Sequence, residues 1–317
     1  MRITVLAGGV GAARFLRGLL AAVSASEVTA IVNTGDDTEL HGLSISPDLD
    51  TITYTLAEAI DPVRGWGLAG ESWHAMEAMQ RYVDVRPSGS SAAPTWFGLG
   101  DRDLATHFYR TARLVEGATL TDVTAEITRA WGLGLCVLPM TDDRFRTVVT
   151  LAESGQQVTF QDYFVRLRHA VAVAGISFEH SSARLTESAR AAITGADVII
   201  IAPSNPLVSI APIRALPEVD RLLAERRHRV VAISPIVGGA ALKGPADRML
   251  HELGIEPSVV GVARLYAPIA AVLVVDPVDA HLASAVELVG PRCVVEPSIM
   301  FDIDRARALA LACIAAV

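Results

Sequence analysis

The chain has 317 residues, 35 acidic against 27 basic for a net charge of −8, with 51% hydrophobic, 5% aromatic and 20% charged residues. This composition belongs to a globular protein with a sizeable core and excludes large-scale disorder; the acidic balance, unbroken by any Lys/Arg cluster, repels a nucleic-acid backbone. Cys136, Cys293 and Cys313 lie far apart with no CxxC spacing, which excludes a zinc ribbon or redox pair and fits a reducing cytoplasm.

"RITVLA" (2–7) reads as a short strand and "AARFLRGLLAAV" (12–23) as a helix with Phe15, Leu16, Leu19, Leu20 and Val23 at helical spacing, joined by a glycine turn. The glycines and the charges Arg14 and Arg17 interrupt any signal-peptide core, and no stretch approaches the roughly 18 apolar residues of a membrane span. A second strand, "VTAIVN" (28–33), runs into the polar loop "TGDDTELHGLSISPDLDT", of a length that carries function. Ile52, Leu56 and Ile60 predict a helix, followed by turn-rich "DPVRGWGLAGES", a helical piece around "WHAMEAMQRY", and a low-complexity loop at 86–95 expected to be flexible and disordered without ligand.

Helical spacing spans 102 to about 131, and "CVLP", "RTVVTLAE", "QQVTF" and "HAVAVAGISF" then read as strands, so an α+β subdomain inserted at about 60–180 is expected. The last third alternates strictly: a helix from about 183, strand "DVIIIAPSN", helix, strand "RVVAISPIVGG", helix from Pro245, strand "AVLVVDP", helix, strand "CVVEPSI" and a C-terminal helix. The fold class expected is α/β, a Rossmann-like doubly wound and mainly parallel sheet in a single domain over 1–317. In such sheets ligands bind beyond the C-terminal ends of the strands, so the motifs at those ends should meet there.

The first motif is the glycine turn. Gly8, Gly9 and Gly11 can bring N–H groups against a phosphate at a helix N-terminus, or can serve strand-to-helix geometry alone. Arg14 stands where a dinucleotide fingerprint needs its third glycine, and no Walker lysine follows. The second is the acidic loop, with Asp36, Asp37, Asp48 and Asp50 inside 15 residues. Crowded carboxylates repel unless a cation offsets them, and Mg2+ shared with substrate phosphates resolves the cost; the plain alternative is that Asp48 or Asp50 caps a helix beginning near Thr51. In a dehydrogenase, Asp36 would instead bind a ribose hydroxyl.

In "WFGLGDRDLATHF" (96–108), Asp101 or Asp103 can cap the following helix, Arg102 begins it, and Trp96 and Phe97 can stack on a flat ring or fill the core. His107, four residues after Asp103, is its helix-face partner and receives no catalytic role. Ser204, Asn205 and Ser209 in "APSNPLVSI", and Gly238, Gly239, Lys243 and Gly244 in "SPIVGGAALKGPADRM", offer polar groups at strand ends for a nucleotide, each also readable as an ordinary turn.

Together "LAGGVGAARFL", "VNTGDDTELHGLSISPDLDT", "IDPVRGWG", "LGDRDLATH", "LPMTDD", "APSNPLVSI" and "SPIVGGAALKGPADRM" resemble, in order from residue 2 to about 265, the 2-phospho-L-lactate transferase family of coenzyme F-420 biosynthesis, whose actinobacterial members are phosphoenolpyruvate transferases. The resemblance implies Mg2+-dependent transfer from a guanosine diphosphate-linked enolpyruvyl or lactyl donor to the ribityl hydroxyl of the deazaflavin Fo, with release of GMP, in a cytoplasmic homodimer that needs neither membrane nor nucleic acid. It implies Asp36 and Asp50 as metal ligands and catalytic residues, with Asp37 and Asp48 as further candidates. Deazaflavin contacts would come from Asp50, Phe97, Asp101 and Arg102, and nucleotide contacts from Gly8, Gly9, Gly11, Ser204, Asn205, Lys243 and Gly244. Ala12 is a small departure from the family's glycine loop. The rival reading is a non-catalytic regulatory nucleotide-sugar-binding protein of the same superfamily; it shares the glycine loop and sheet but would lack "PDLDT" and "GDRDLATH".

Overall fold

The structure, a computed structural model, describes residues 1–88, 90, 92, 94–179 and 182–317. Seven strands build the central sheet: β1 (Ile3–Ala7), β2 (Val28–Val32), β3 (Cys136–Pro139), β4 (Val198–Ile201), β5 (Val230–Ile233), β6 (Val272–Val275) and β7 (Arg292–Val295). Their spatial order is β7-β6-β5-β4-β1-β2-β3, and every neighbouring pair is parallel. The chain winds outward from β1 to β3 and then crosses back to β4, so the order reverses between β1 and β4 and leaves a crevice at their C-terminal ends.

Parallel strands covered on both faces read as continuous apolar runs, and β1 shows how the run is divided. Ile3, Val5 and Ala7 pack on one face with Phe15, Leu16 and Leu19 of helix α1 (Gly9–Leu20) and with Leu309 and Cys313 of the C-terminal helix Ile303–Ala315. Leu6 points to the other face, among Ile31, Ile199 and Ile201. Thr4, buried on that second side, donates its hydroxyl to the Ala192 carbonyl at 2.8 Å, which removes the penalty of an unpaired polar group.

The block expected as one insertion at 60–180 is divided, because β3 (Cys136–Pro139) within it pairs with β2 in the central sheet. Before β3 come helix α2 (Pro47–Leu56), a short helix His74–Met79, helix α3 (Asp103–Val115) and a helix Leu120–Ala130. After it an antiparallel sheet pairs Arg146–Leu151 with Gln157–Thr159 and Val173–Glu179. The polar loop after β2 holds a small hairpin, Thr38–Leu40 against Leu43–Ile45, turned by His41 (φ 55°) and Gly42 (φ 73°). Helix α1 begins three residues before its expected start, and α2 begins at Pro47 rather than near Thr51. The expectation of a flexible loop at 86–95 rests partly on Gly89, Ser91 and Ala93, which lie outside the described residues. Among the described residues, no helix is long and apolar enough to cross a membrane.

Candidate active site

A cavity of about 780 Å³ opens over the crevice, and its walls come from the turns that follow β1, β2, β4, β5 and β7. Gly8, Gly9 and Gly11 line it at the start of α1. Gly9 has φ +69°, a left-handed conformation that a side chain disfavours, and its N–H donates to Asp48 Oδ1 at 2.8 Å. A Cβ on Gly11 would lie 2.4 Å from the Pro203 carbonyl oxygen, so glycine there lets α1 approach the turn after β4. That turn is locked by Ser204, whose hydroxyl donates to the Gly8 carbonyl at 2.7 Å and accepts from the Gly8 N–H at 3.4 Å. The first-turn N–H groups of Val10 and Gly11 have no intrahelical acceptor, so the helix start keeps donors for an anion beside Asp48.

Asp36, Asp48 and Asp50 also line the cavity and are all buried. Asp48 sits in the first turn of α2, where it caps nothing locally; its second oxygen accepts from Asn33 Nδ2 at 2.9 Å. Burial lifts its pKa to about 6. Burial, and then the charges of Asp48 and Asp37, hold Asp36 well above the usual carboxylate range. Burial also raises Asp37, against the Ser46 hydroxyl that donates to it at 2.7 Å. Asp36 Oδ1 and Asp37 Oδ1 are buried with no hydrogen-bond partner. An orphaned carboxylate oxygen among like charges fits a hard divalent cation, which binds through one or two carboxylates and completes its shell with water and substrate phosphate. Among the described residues no three His, Cys, Asp or Glu side chains are arranged to hold a metal by themselves.

Asp50 differs from its neighbours. Both its oxygens are taken by the buried Arg110 of α3, Nη1 to Oδ2 at 3.1 Å and Nη2 to Oδ1, so Asp50, expected together with Asp36 as a metal ligand, stands here in an ion pair with Arg110. His107, 1% exposed, stands beside this pair and reaches Asp103 at 3.3 Å. The Tyr54 hydroxyl donates to the other oxygen of Asp103 at 2.6 Å. Burial works against the Asp103 carboxylate, but the His107 and Tyr54 bonds prevail and hold it below the usual range. His107 is thus the helix-face partner of Asp103, as its spacing predicted, and it also lines the cavity.

At the mouth, Phe97 lines the cavity and packs edge-on against Trp96 at 5.8 Å, while both lean on the small cluster of Leu40, Ile45 and Leu99. Lys243, the only lysine of the chain, extends from the loop after the β5 turn, and its Nζ lies 3.1 Å from where a Gly65 Cβ would stand. Gly244 lines the cavity next to it. Asn205 lines it too, but its carbonyl oxygen is used to accept from the Leu207 N–H at 2.9 Å. Asp101 and Arg102 are not brought to the cavity. Asp101 accepts from the N–H groups of His74 and Ala75 at 3.0 Å each, so it caps the His74–Met79 helix, and α3 is capped instead by Glu71. The Arg102 guanidinium donates to the Ala69 carbonyl at 2.7 Å. Sequence reasoning missed Arg110 and Gln161, whose amide donates to the Asp36 carbonyl at 3.0 Å across 125 residues. It also gave Arg14 no place in the site, whereas the residue is exposed at the cavity wall without an ion-pair partner among the described residues. For Arg110 the available signal was its place three residues after His107 on one helix face.

A parallel sheet of this order, with its large cavity over the reversal point and strand-end turns for walls, defines a doubly wound α/β protein of the Rossmann type. Residues 3–315 match the model of the 2-phospho-L-lactate transferase CofD family, and the chain belongs to that family of transferases. It is 44% identical over 309 residues to a protein of Kitasatospora aureofaciens named phosphoenolpyruvate transferase, covering 96% of this chain and 94% of that one. It is 43% identical over 314 residues to one of the same name in Streptomyces griseus, covering 98% and 96%. Among solved structures it is similar to protein BH3568 of Bacillus halodurans, with TM-score 0.63, 17% identity and coverage of 98% and 97%, a likeness of fold.

Proposed function

We propose that this transferase moves a phosphoenolpyruvyl group, or in the alternative a 2-phospho-L-lactyl group, from a guanosine diphosphate-linked donor to the ribityl hydroxyl of the deazaflavin Fo. GMP leaves, and the product is an intermediate of coenzyme F-420 biosynthesis in the cytoplasm. The observation that carries the reading is the meeting of two unlike surfaces in one cavity: the donor-rich start of α1 and, beside it, the buried Asp36, Asp48 and Asp50, of which Asp36 has an oxygen without a hydrogen-bond partner. The name shared by the Kitasatospora and Streptomyces relatives supports enolpyruvate over lactate.

In this reading the acceptor oxygen forms a bond to the distal phosphorus as the bond from that phosphorus to the bridging oxygen breaks; the bridging oxygen departs with GMP, and the hydroxyl proton is released to solvent. Transfer of this kind depends on positioning and on spreading charge over the equatorial oxygens, with no covalent nucleophile on the protein. The α1 start and Lys243 receive the donor phosphates, and Phe97 stacks on the deazaflavin. Asp50 accepts the hydrogen bond of the reacting hydroxyl. Asp36, with Asp48 beside it, holds Mg2+, which neutralises charge on the phosphate oxygens when bound. The chain acts as a homodimer.

The test is anaerobic incubation of the pure protein with Fo, Mg2+ and each guanylylated donor in turn, followed by mass spectrometry of the deazaflavin. A product carrying phosphoenolpyruvate, absent when EDTA is added, is the expected result. No product with either donor, alongside tight guanine-nucleotide binding, overturns the reading in favour of a regulatory binding protein.

A further inference from the structure

At the cavity wall, α2 and α3 are joined by a polar seam, of which Asp50, Tyr54, Asp103 and His107 line the cavity and Arg110 lies behind them. On α3, Asp103, His107 and Arg110 stand at i, i+4 and i+7 and share one face; on α2, Asp50 and Tyr54 stand at i and i+4. All five residues are buried. The contacts run in one line, from Tyr54 to Asp103 at 2.6 Å, Asp103 to His107 at 3.3 Å, His107 Nδ1 to Arg110 Nη1 at 3.3 Å, and Arg110 to Asp50 at 3.1 Å. The Ser44 carbonyl also accepts from Arg110 Nη1, at 3.4 Å.

A guanidinium has donors only, so the His107 nitrogen that faces it presents a lone pair. The ring hydrogen is then on Nε2, the nitrogen 3.3 Å from Asp103, and Arg110 is the donor of the line in both directions, to His107 and to Asp50. Removing an arginine and a carboxylate from water costs several kcal/mol per ion, and apolar residues of similar volume commonly serve stability as well or better. A seam of this kind is therefore poor evidence of a stability device. Its one member that the proposed reaction uses is Asp50, at the cavity end, held through both oxygens by a planar fork that fixes the carboxylate plane.

We propose that Arg110, itself set by His107, is a positioning residue of the transfer: it holds the Asp50 carboxylate in the plane from which its remaining lone pairs meet the acceptor hydroxyl. The inference rests on the reading of Asp50 as the hydroxyl contact. Lysine at this position keeps the charge but offers a point donor in place of the fork, which leaves the carboxylate free to rotate. A misplacement of about 1 Å at a reacting group costs about 100-fold in rate.

The experiment is a kinetic cycle with Fo and the guanylylated donor, using wild type, Arg110→Lys, Asp50→Asn and the double variant, with the thermal midpoint of each recorded. Arg110→Lys is expected to lower kcat by about 100-fold while KM for both substrates stays within about threefold. In the Asp50→Asn background the same change is expected to cost less than about threefold, because Arg110 acts through a carboxylate that is no longer there. Losses that multiply in the double variant, or an Arg110→Lys enzyme within twofold of wild-type kcat, overturn the proposal. If Arg110→Lys does not fold, His107→Gln in the same two backgrounds reads the same coupling one residue further back, with the same two outcomes. A wild type that yields no product fails the proposed reaction itself, and that result is distinct from a failed cycle.

Discussion

Replacing Gly11 by alanine tests what the glycine turn is for. Gly11 stands in the first turn of α1, where the helix-propensity advantage of alanine over glycine is at most the about 1 kcal/mol of an interior site, so an unconstrained site would gain stability. Here the new Cβ would stand 2.4 Å from the Pro203 carbonyl oxygen and 3.5 Å from its carbonyl carbon. Carbon and carbonyl oxygen ordinarily approach no closer than about 3.3 Å, so α1 and the turn after β4 must part by nearly the difference. The obstacle is backbone and cannot rotate away. Overpacking of this sort costs about 1–3 kcal/mol, and its upper range applies, which leaves a net loss of about 1–2 kcal/mol and a melting midpoint lower by a few degrees. The site suffers as well, because Ser204, one residue beyond Pro203, is bonded to both polar atoms of Gly8. Urea unfolding measures the first effect and guanine-nucleotide titration the second, with a fall in affinity expected. A Gly11→Ala protein that is as stable as wild type and binds equally well refutes the close-approach argument.

Two other expectations concern charge. Asp48 is lifted by burial from an ordinary 3.8 to about 6; a carboxyl with a raised folded value binds its proton more tightly when folded, so its contribution is fully present below pH 4 and is lost as pH rises through 6. In metal-free buffer the stability of wild type relative to Asp48→Asn should therefore increase by about 2 kcal/mol from pH 8 to pH 4, as urea titrations at each pH will show, and a constant difference rejects the burial argument. Lys243 supplies the only side-chain amine of the chain, and the N-terminal amine is paired with Glu27 at 2.7 Å, remote from the cavity. Bound guanine nucleotide should slow acetylation of Lys243 several-fold and leave the N-terminal amine unaffected as an internal control; equal slowing of both, or of neither, removes Lys243 from the nucleotide site.

The parts of the fold legible in the sequence are those whose partners matter little. Strand 28–33 is visible because a strand buried on both faces is apolar throughout, whatever lies beside it, and it appears as Val28–Val32. Cys136–Pro139 is equally apolar, yet its place in the central sheet depends on pairing with a strand a hundred residues earlier, and nothing local distinguishes it from an insertion strand. The hairpin around His41 and Gly42 was hidden because its strands are only three residues long and half polar, although two successive residues at positive φ are what a tight hairpin turn demands. The start of α2 had a local signal in Ser46-Pro47, since proline is at home in the first helical position.

The site divides along the same line. Four aspartates in one loop announce mutual repulsion, and three of them are raised by burial, with the charges of Asp48 and Asp37 adding to the effect at Asp36. What the pattern could not announce is which carboxylate has a private counter-ion, because Arg110 lies 60 residues away on a helix whose other arginine, Arg113, pairs with the exposed Glu116 and the half-buried Glu126. Asp101 shows the converse failure: a Gly-Asp turn before a helix signals a cap, but the N–H groups it receives belong to a different helix. The geometry also changes the role of the glycine turn. One donor of α1 is already committed to Asp48, whose other oxygen is fixed by Asn33 at the end of β2. An incoming phosphate meets the N–H groups that remain, and the carboxylate that anchors the turn is itself part of the acidic loop. Movement of either loop must therefore be felt by the other, so the two sides of the cavity are mechanically one unit.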